Sequence, residues 1–439
     1  MLHGLRAARL GIIGGAGALA AAIIIVVAIA AANAGQVTTS PGGGGSSLQG
    51  NSTSVPSVST PATIVDDIFH AIADPDPPMV NDSSLKVEKV VEGLSNPTSM
   101  AFVNNWTLLI LQKDDGAVRL VSNGTLVPEP VSKFEVENAS ERGLLGLAVH
   151  GKDVFIYMTE NASSGDIRER VYRFEWQNGR LEDKTMILDL PGTPGPNHDG
   201  GRIIAGPAGE LYVPIGDLNR NGMLQNHKDG PAPDDTSVIL KVDRDGKPLA
   251  NALSGRDGLA AYYAYGVRNS FGLAIDPVTG ALWDTENGPD SYDEINLVIP
   301  GFNSGWEQIM GPAERSSASV DSLVQFEGSQ YQDPKFSWQS PIGVTDIAFA
   351  SPHMGQYAND IFVGEINGGN LYHFKPNGDR NGLVLDGALA DKVADGGESG
   401  AVVFGTGFNG ITDIENGPEG YLYVLSFGDG SIYRISPAR

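Results

Sequence analysis

The chain of 439 residues carries 29 Lys and Arg against 53 Asp and Glu, a net charge of −24, and no cysteine. That length buries a sizeable core, in one large β domain or two smaller ones; the charge argues against nucleic acid and anionic membrane surfaces, and the missing cysteines exclude disulfides, thiolate metal sites and Cys nucleophiles. With 57 glycines, 27 prolines and few long helical patterns after residue 75, the composition favours short strands joined by turns.

Residues 11–32 are uncharged and mostly apolar, preceded by Arg6 and Arg9. The run is long enough to span a bilayer and longer than a usual signal-peptide core. Ala32-Asn33-Ala34 also reads as a small-residue cleavage site, so residues 1–34 are expected to be a signal anchor or a signal peptide. The positive-inside rule puts the arginines in the cytoplasm under either reading. The rest is expected at the extracellular face of the membrane, anchored or secreted. Residues 35–84 read as a flexible Gly/Ser/Thr/Pro-rich linker containing a short helix over 63–73. There Ile64, Ile68, Phe69 and Ile72 share one helical face, Thr63 is a candidate N-cap, and ADPDPP stops the helix. Sequons begin at Asn51, Asn81, Asn105, Asn123, Asn138 and Asn161 and none follows residue 165, which fits an exported, glycosylated face.

From residue 85 to 439 a loose unit recurs, starting at 97, 143, 200, 270, 344 and 411. Each has an apolar run, a Gly/Pro/Asp turn, a second apolar run with an aromatic, and a closing strand. Six such units predict an all-β fold, a six-bladed β-propeller, with a β-sandwich pair as the alternative. LKVEKV (85–90) is the candidate outer strand of the last blade.

Two stretches carry the candidate chemistry. In 197–221, NHDGGRIIAGPAGELYVPIGDLNRN, His198 and Asp217 lie on loops flanking one short strand, where functional groups collect; a capping His and a turn Asp are the plain alternative. In 265–298, Arg268 and Asn269 precede one strand, and the next runs into Glu286-Asn287-Gly288-Pro289, with Asp290, Asp293 and Glu294 beyond. Such an acidic, Gly/Pro-bent loop offers the oxygens that a hard cation needs, or is a solvated acidic turn. No Gly-x-Ser-x-Gly elbow, P-loop or His-Glu-x-x-His motif is present.

ERGLLGLAVH (141–150), NHDGGRI (197–203), IGD (215–217), GVRNSFGLAIDP (266–277), TENGPDSYDEIN (285–296) and GFNSGW (301–306) jointly resemble the soluble glucose/sorbosone dehydrogenases. These are six-bladed propellers using pyrroloquinoline quinone (PQQ), and the match runs in order from about residue 88 to 435. The resemblance implies that His198 removes the C1 hydroxyl proton of an aldose while the C1 hydride passes to the quinone. A histidine pKa near neutrality suits that role. It implies that Asp217 orients sugar and base, and that Arg268, Asn269 and Glu141 belong to the cofactor site. It also implies that the carbonyls of Gly288 and Pro289 hold a PQQ-bound Ca²⁺, with Asp293 and Glu294 near additional calcium. The pattern departs in its cations: Asn367 stands where glucose-oxidising members supply a Lys, and Gly410-Ile411-Thr412 where they supply Arg-x-Arg. Arg142, Arg202 and Arg220 are the candidate replacements, and Glu365 adds negative charge. The reading is a sugar dehydrogenase that meets a small sugar, no nucleic acid, and a membrane only through the N-terminal helix, with a homo-oligomer left open. Its alternative is a non-catalytic extracellular binding or scaffold propeller.

Overall fold

The computed structural model describes residues 69–438. The expected membrane segment, the sequon at Asn51 and most of the linker lie outside the described residues. The remainder is an all-β propeller of 29 strands in six sheets. Among the described residues the helices are six short 3-10 turns, and none is long and apolar enough to cross a membrane.

The innermost strands of the sheets are Pro97–Asn104, Leu144–His150, Ile204–Ala205, Ser270–Ile275, Val344–Phe349 and Ile411–Asn416. Each begins within a few residues of a sequence repeat. The apolar runs follow from packing on both faces. Successive side chains of a strand point to opposite sides. In Thr107–Gln112, Leu108 and Ile110 therefore enter one core while Leu109 and Leu111 enter another. In Asp153–Asn161, Val154, Ile156 and Met158 likewise separate from Phe155 and Tyr157. A strand buried on both faces reads as continuous apolar sequence rather than as polar alternation.

The ring closes at the sixth sheet, where Leu85–Val91 pairs antiparallel with Ser431–Pro437 and Val87 opposes Ile435. Neighbouring inner strands are further tied by buried threonine hydroxyls. Thr98 Oγ1 donates to Leu144 O at 2.8 Å, Thr345 Oγ1 to Ile411 O at 2.7 Å, and Thr412 Oγ1 to Pro97 O at 2.9 Å. The five described sequon asparagines, Asn81, Asn105, Asn123, Asn138 and Asn161, are all exposed.

The helix expected over 63–73 is not present over 69–73; its first residues lie outside those described. Ile72 instead bridges Lys89, its N–H donating to Lys89 O at 2.7 Å. Phe69 wedges edge-to-face against Phe102 of the first sheet and Tyr423 of the sixth, at ring separations of 6.0 and 5.3 Å. Burial of that ring between two sheets outweighs the local helical pattern.

Inside the ring the channel is filled by buried charge. Arg202 Nη2 donates to Leu273 O at 2.8 Å and lies 2.6 Å from Asp346 Oδ1. Asp346 accepts from Ile414 N at 2.8 Å, and Asp413 from Met100 N at 2.6 Å. Burial raises several carboxyls: Asp346 to about 6, and Asp199 and Glu286 each to about 7.

Two outcomes follow. Phe69→Ala removes the wedge between the first and sixth sheets and should lower unfolding free energy by about 3–5 kcal/mol, read from urea denaturation; an unchanged midpoint would mean the ring closes without it. The second concerns pH. Acids whose folded pKa is raised bind protons more tightly in the native state, so their contribution is full below the unfolded value, about 4, and is lost as pH rises through the folded value. His198, shifted down, runs the other way and gains stability towards its unfolded value of about 6.5, but it is outnumbered. The Tm should therefore fall from about pH 5 to about pH 8, and a level or rising Tm would refute the protonated interior.

Candidate active site

Loops entering the inner strands of three consecutive sheets, and the loop leaving the second strand of the third, converge at one end of the channel. His198 lies between Arg180–Pro191 and Ile204–Ala205, at a φ of 63°. Asp217 follows Leu211–Ile215; Arg268 and Asn269 precede Ser270–Ile275; Glu141 precedes Leu144–His150. Gly216 makes the approach physically open. A Cβ there would stand 2.3 Å from His198 O and 2.6 Å from Arg268 O, so a side chain would push the segments apart.

His198 Nδ1 is 2.5 Å from Asp217 Oδ1. Asp217 Oδ2 accepts from Gln225 Nε2 at 2.6 Å and Trp306 Nε1 at 2.8 Å, and Oδ1 accepts from Asn219 N at 2.8 Å. Burial pushes the Asp217 carboxyl up, but the bonds from His198, Asn219 and Trp306 outweigh it, and its pKa is lowered. An ionised carboxylate only accepts, which assigns the proton to Nδ1 and leaves Nε2 as the basic nitrogen. Burial, and then the positive charge of Arg268, lower the His198 pKa. At neutral pH the ring is uncharged and able to take a proton.

The loop is held from behind. Glu141 Oε2 accepts from His198 N at 2.7 Å and from Asn269 Nδ2 at 3.0 Å, while Asn269 Oδ1 accepts from Gly200 N at 3.3 Å. Burial and the neighbouring Asp199 push Glu141 up to about 8. Arg268 donates from its backbone to Glu286 Oε1 at 2.7 Å and from Nη1 to Asn287 O at 3.0 Å, and its guanidinium lies 5.3 Å from the Trp306 ring centre.

The structure thus brings together His198, Asp217, Glu141, Arg268 and Asn269. It gives Asn269 and Glu141 a scaffolding task, because their side chains are spent on the His198 loop. The acids assigned to calcium are also committed elsewhere. Asp293 Oδ1 accepts from Gly288 N at 3.0 Å, and its Oδ2 accepts from the amides of Ile342, Gly343 and Val344 at 2.7–3.1 Å. Glu294 accepts from Gly311 N at 2.5 Å and Asn296 Nδ2 at 3.2 Å. Both are buried, whereas Pro289 is exposed and Gly288 is buried. Among the described residues no group of three or more His, Asp or Glu side chains is arranged to hold a metal. Asp293 instead caps the strand entrance at 342–344, a backbone task that the acidic sequence pattern did not distinguish from metal binding.

The candidate replacement cations are engaged as well. Arg142 Nη2 donates to Gly192 O and Pro194 O, Arg220 pairs with Asp234, and Arg202 is in the channel with Asp346. Asn367 bonds Ile342 O, and Glu365 accepts from Gly368 N and Asn370. Sequence reasoning missed Gln225, Asn219 and Trp306. Trp306 stood in a quoted motif but with no role; nothing in the pattern around Gln225 marked it.

The family model for Glucose / Sorbosone dehydrogenase matches residues 94–434. An uncharacterised protein of Synechocystis sp. is 27% identical, over 81% of this chain and 87% of its own. Aldose sugar dehydrogenase YliI of Escherichia coli is 24% identical, over 81% of this chain and 94% of its own. The structure of the PQQ-bound aldose sugar dehydrogenase of Streptomyces coelicolor superposes with a TM-score of 0.60 at 22% identity, covering 82% of this chain and 99% of that one. With the matched region spanning the propeller from before the first inner strand into the last strand of the chain, this chain belongs to the glucose/sorbosone dehydrogenase family.

Proposed function

We propose that the protein is a sugar-dehydrogenase-like oxidoreductase, a propeller of six blades that oxidises an aldose at C1. The observation that carries this reading is the His198–Asp217 pair, with Asp217 saturated by four donors and His198 neutral. His198 Nε2 takes the hydroxyl proton of the sugar as general base, and Asp217 stabilises the imidazolium that forms. Arg268, stacked on Trp306, presents positive charge beside the dyad and favours the alkoxide character that develops as the proton leaves. The hydrophobic run at 11–32 and the exposed asparagines at 81–161 support an exported protein, anchored or secreted.

The hydride half of the reaction belongs to a redox cofactor. The Streptomyces coelicolor relative is described as PQQ-bound. PQQ carries three carboxylates, which call for several charge-assisted donors. Around this dyad Arg268 is the cation left without a carboxylate bonded to its guanidinium, whereas Arg142, Arg202 and Arg220 are committed to other partners and Asn367 replaces a lysine. The donor set does not fit a tricarboxylate, nor do the spent Asp293 and Glu294 fit a calcium ion. This mismatch is the observation that supports a second reading, a binding propeller that retains the fold and has lost the cofactor.

One pair of measurements separates the readings. Titration with PQQ and Ca²⁺ should give weak binding, with bleaching of the quinone when an aldose is added; no binding at hundreds of micromolar favours the binding propeller. For the oxidoreductase, His198→Ala should cut sugar oxidation by about 10²–10⁴-fold with unchanged circular dichroism, and the wild-type rate should be lost as pH falls through the lowered His198 pKa. Activity that survives His198→Ala would refute the assigned base.

A further inference from the structure

The inner strands run in the same direction. Thr345 bonds Ile411 while Asp346 bonds Ile414, and Thr412 bonds Pro97 while Asp413 bonds Met100. The residues entering these strands build the His198 site, so their far ends lie at the opposite mouth of the channel. There an open-mouthed cavity of about 200 Å³ is lined by strand ends of the third to sixth sheets. Its walls are apolar, with Ile204, Leu273, Ile347 and Phe349. Its rim carries the exposed Pro207 and Pro277 and the half-buried Asn416.

Two polar side chains line the inner end, and both are almost wholly buried. Arg202 is 1% exposed and Glu415 also 1%. Arg202 uses only Nη2, on Leu273 O and Asp346; its Nε and Nη1 have no partner. Glu415 Oε1 has none either. Leaving a guanidinium with two idle donors beside an idle carboxyl oxygen is costly in a buried setting. The arrangement is a donor and acceptor pair at the base of an apolar cup.

We propose that this cup is a second small-molecule site, separate from the His198 site, for an uncharged ring-sized compound bearing one hydroxyl group. The size follows from volume, since an apolar cavity of about 150 Å³ takes benzene and this one leaves room for a substituent. The hydroxyl follows from the polar end: its oxygen accepts from Arg202, and its proton meets Glu415. Neutrality follows from charge. Asp346 already balances Arg202, and burial holds the Asp413 and Glu415 carboxyls above the usual range, which disfavours their charged forms. An added anion or cation would stand uncompensated.

The test uses the full chain and three probes, phenol, toluene and benzoate, followed by ligand-observed NMR and thermal shift. Phenol should bind saturably and raise the Tm, with toluene and benzoate each weaker by about tenfold or more. Ala274→Leu, on the cavity wall and outside the His198 site, should abolish phenol binding and leave the fold and PQQ response unchanged. Three results would overturn the proposal: no saturable phenol binding at tens of millimolar, phenol binding undiminished in Ala274→Leu, or toluene binding as tightly as phenol, which would remove Arg202 from the site. Should Ala274→Leu not fold, the ranking of the three probes on the wild-type chain still decides.

Discussion

An inner strand of this propeller faces a channel on one side with no strand to pair with, so its polar groups must be satisfied across the opening. Here one buried cation organises that exchange. Arg202, from the third sheet, bonds the fourth sheet through Leu273 O and the fifth through Asp346. Asp346 caps Ile414 of the sixth, and Asp413 of the sixth caps Met100 of the first. Five of the six sheets are thus linked by a relay with a single formal positive charge. Taking one member away strands its partner in a low-dielectric interior, where a broken buried pair costs about 3–5 kcal/mol. The threonine hydroxyls between adjacent strands are cheaper copies of the same solution.

The channel and the His198 end are not independent, because His198, Asp199 and Arg202 fall within five residues. Arg202 fixes the stretch from inside the channel. Asp199 is fixed from below by Tyr157, whose hydroxyl donates to Asp199 O at 2.8 Å, and by Arg142 at 3.6 Å. Glu141 fixes it from the side. A histidine with positive φ persists only where its surroundings over-determine it, and these contacts supply that determination. The orientation of the His198 loop is therefore a consequence of how the buried charges are packed.

The fold was legible in the sequence because the propeller repeats its physics. Each inner strand starts a run that is apolar on both faces, and the six starts were visible at 97, 143, 200, 270, 344 and 411. Leu85–Val91 could be placed for the same reason, as an apolar alternation with no other partner. What misled was local pattern without tertiary competition. Phe69 and Ile72 read as one helical face, but Phe69 is claimed by rings from two sheets. Asp293 and Glu294 read as metal oxygens, but backbone amides at 342–344 and 311 reach them first, and those donors lie dozens of residues away or on a separate loop. His198 and Asp217 were visible because polar residues flank a short buried strand. Gln225 and Trp306, which hold Asp217 from 3-10 and loop segments, carry no periodic signal at all.

The placement of charge also narrows what each end of the channel accepts. Around His198 stand Asp217, Glu141 and Glu286, with Arg268 as a cation beside them, and the chain as a whole carries −24. A ligand with carboxylate or phosphate groups must displace the Asn287 carbonyl from Arg268 and approach the ionised Asp217, in an environment where like charges are poorly screened. A neutral polyol meets neither obstacle, because its hydroxyls can accept from Arg268 without adding charge beside the acids. The electrostatics of this end therefore favour an uncharged ligand over one that carries carboxylate or phosphate groups.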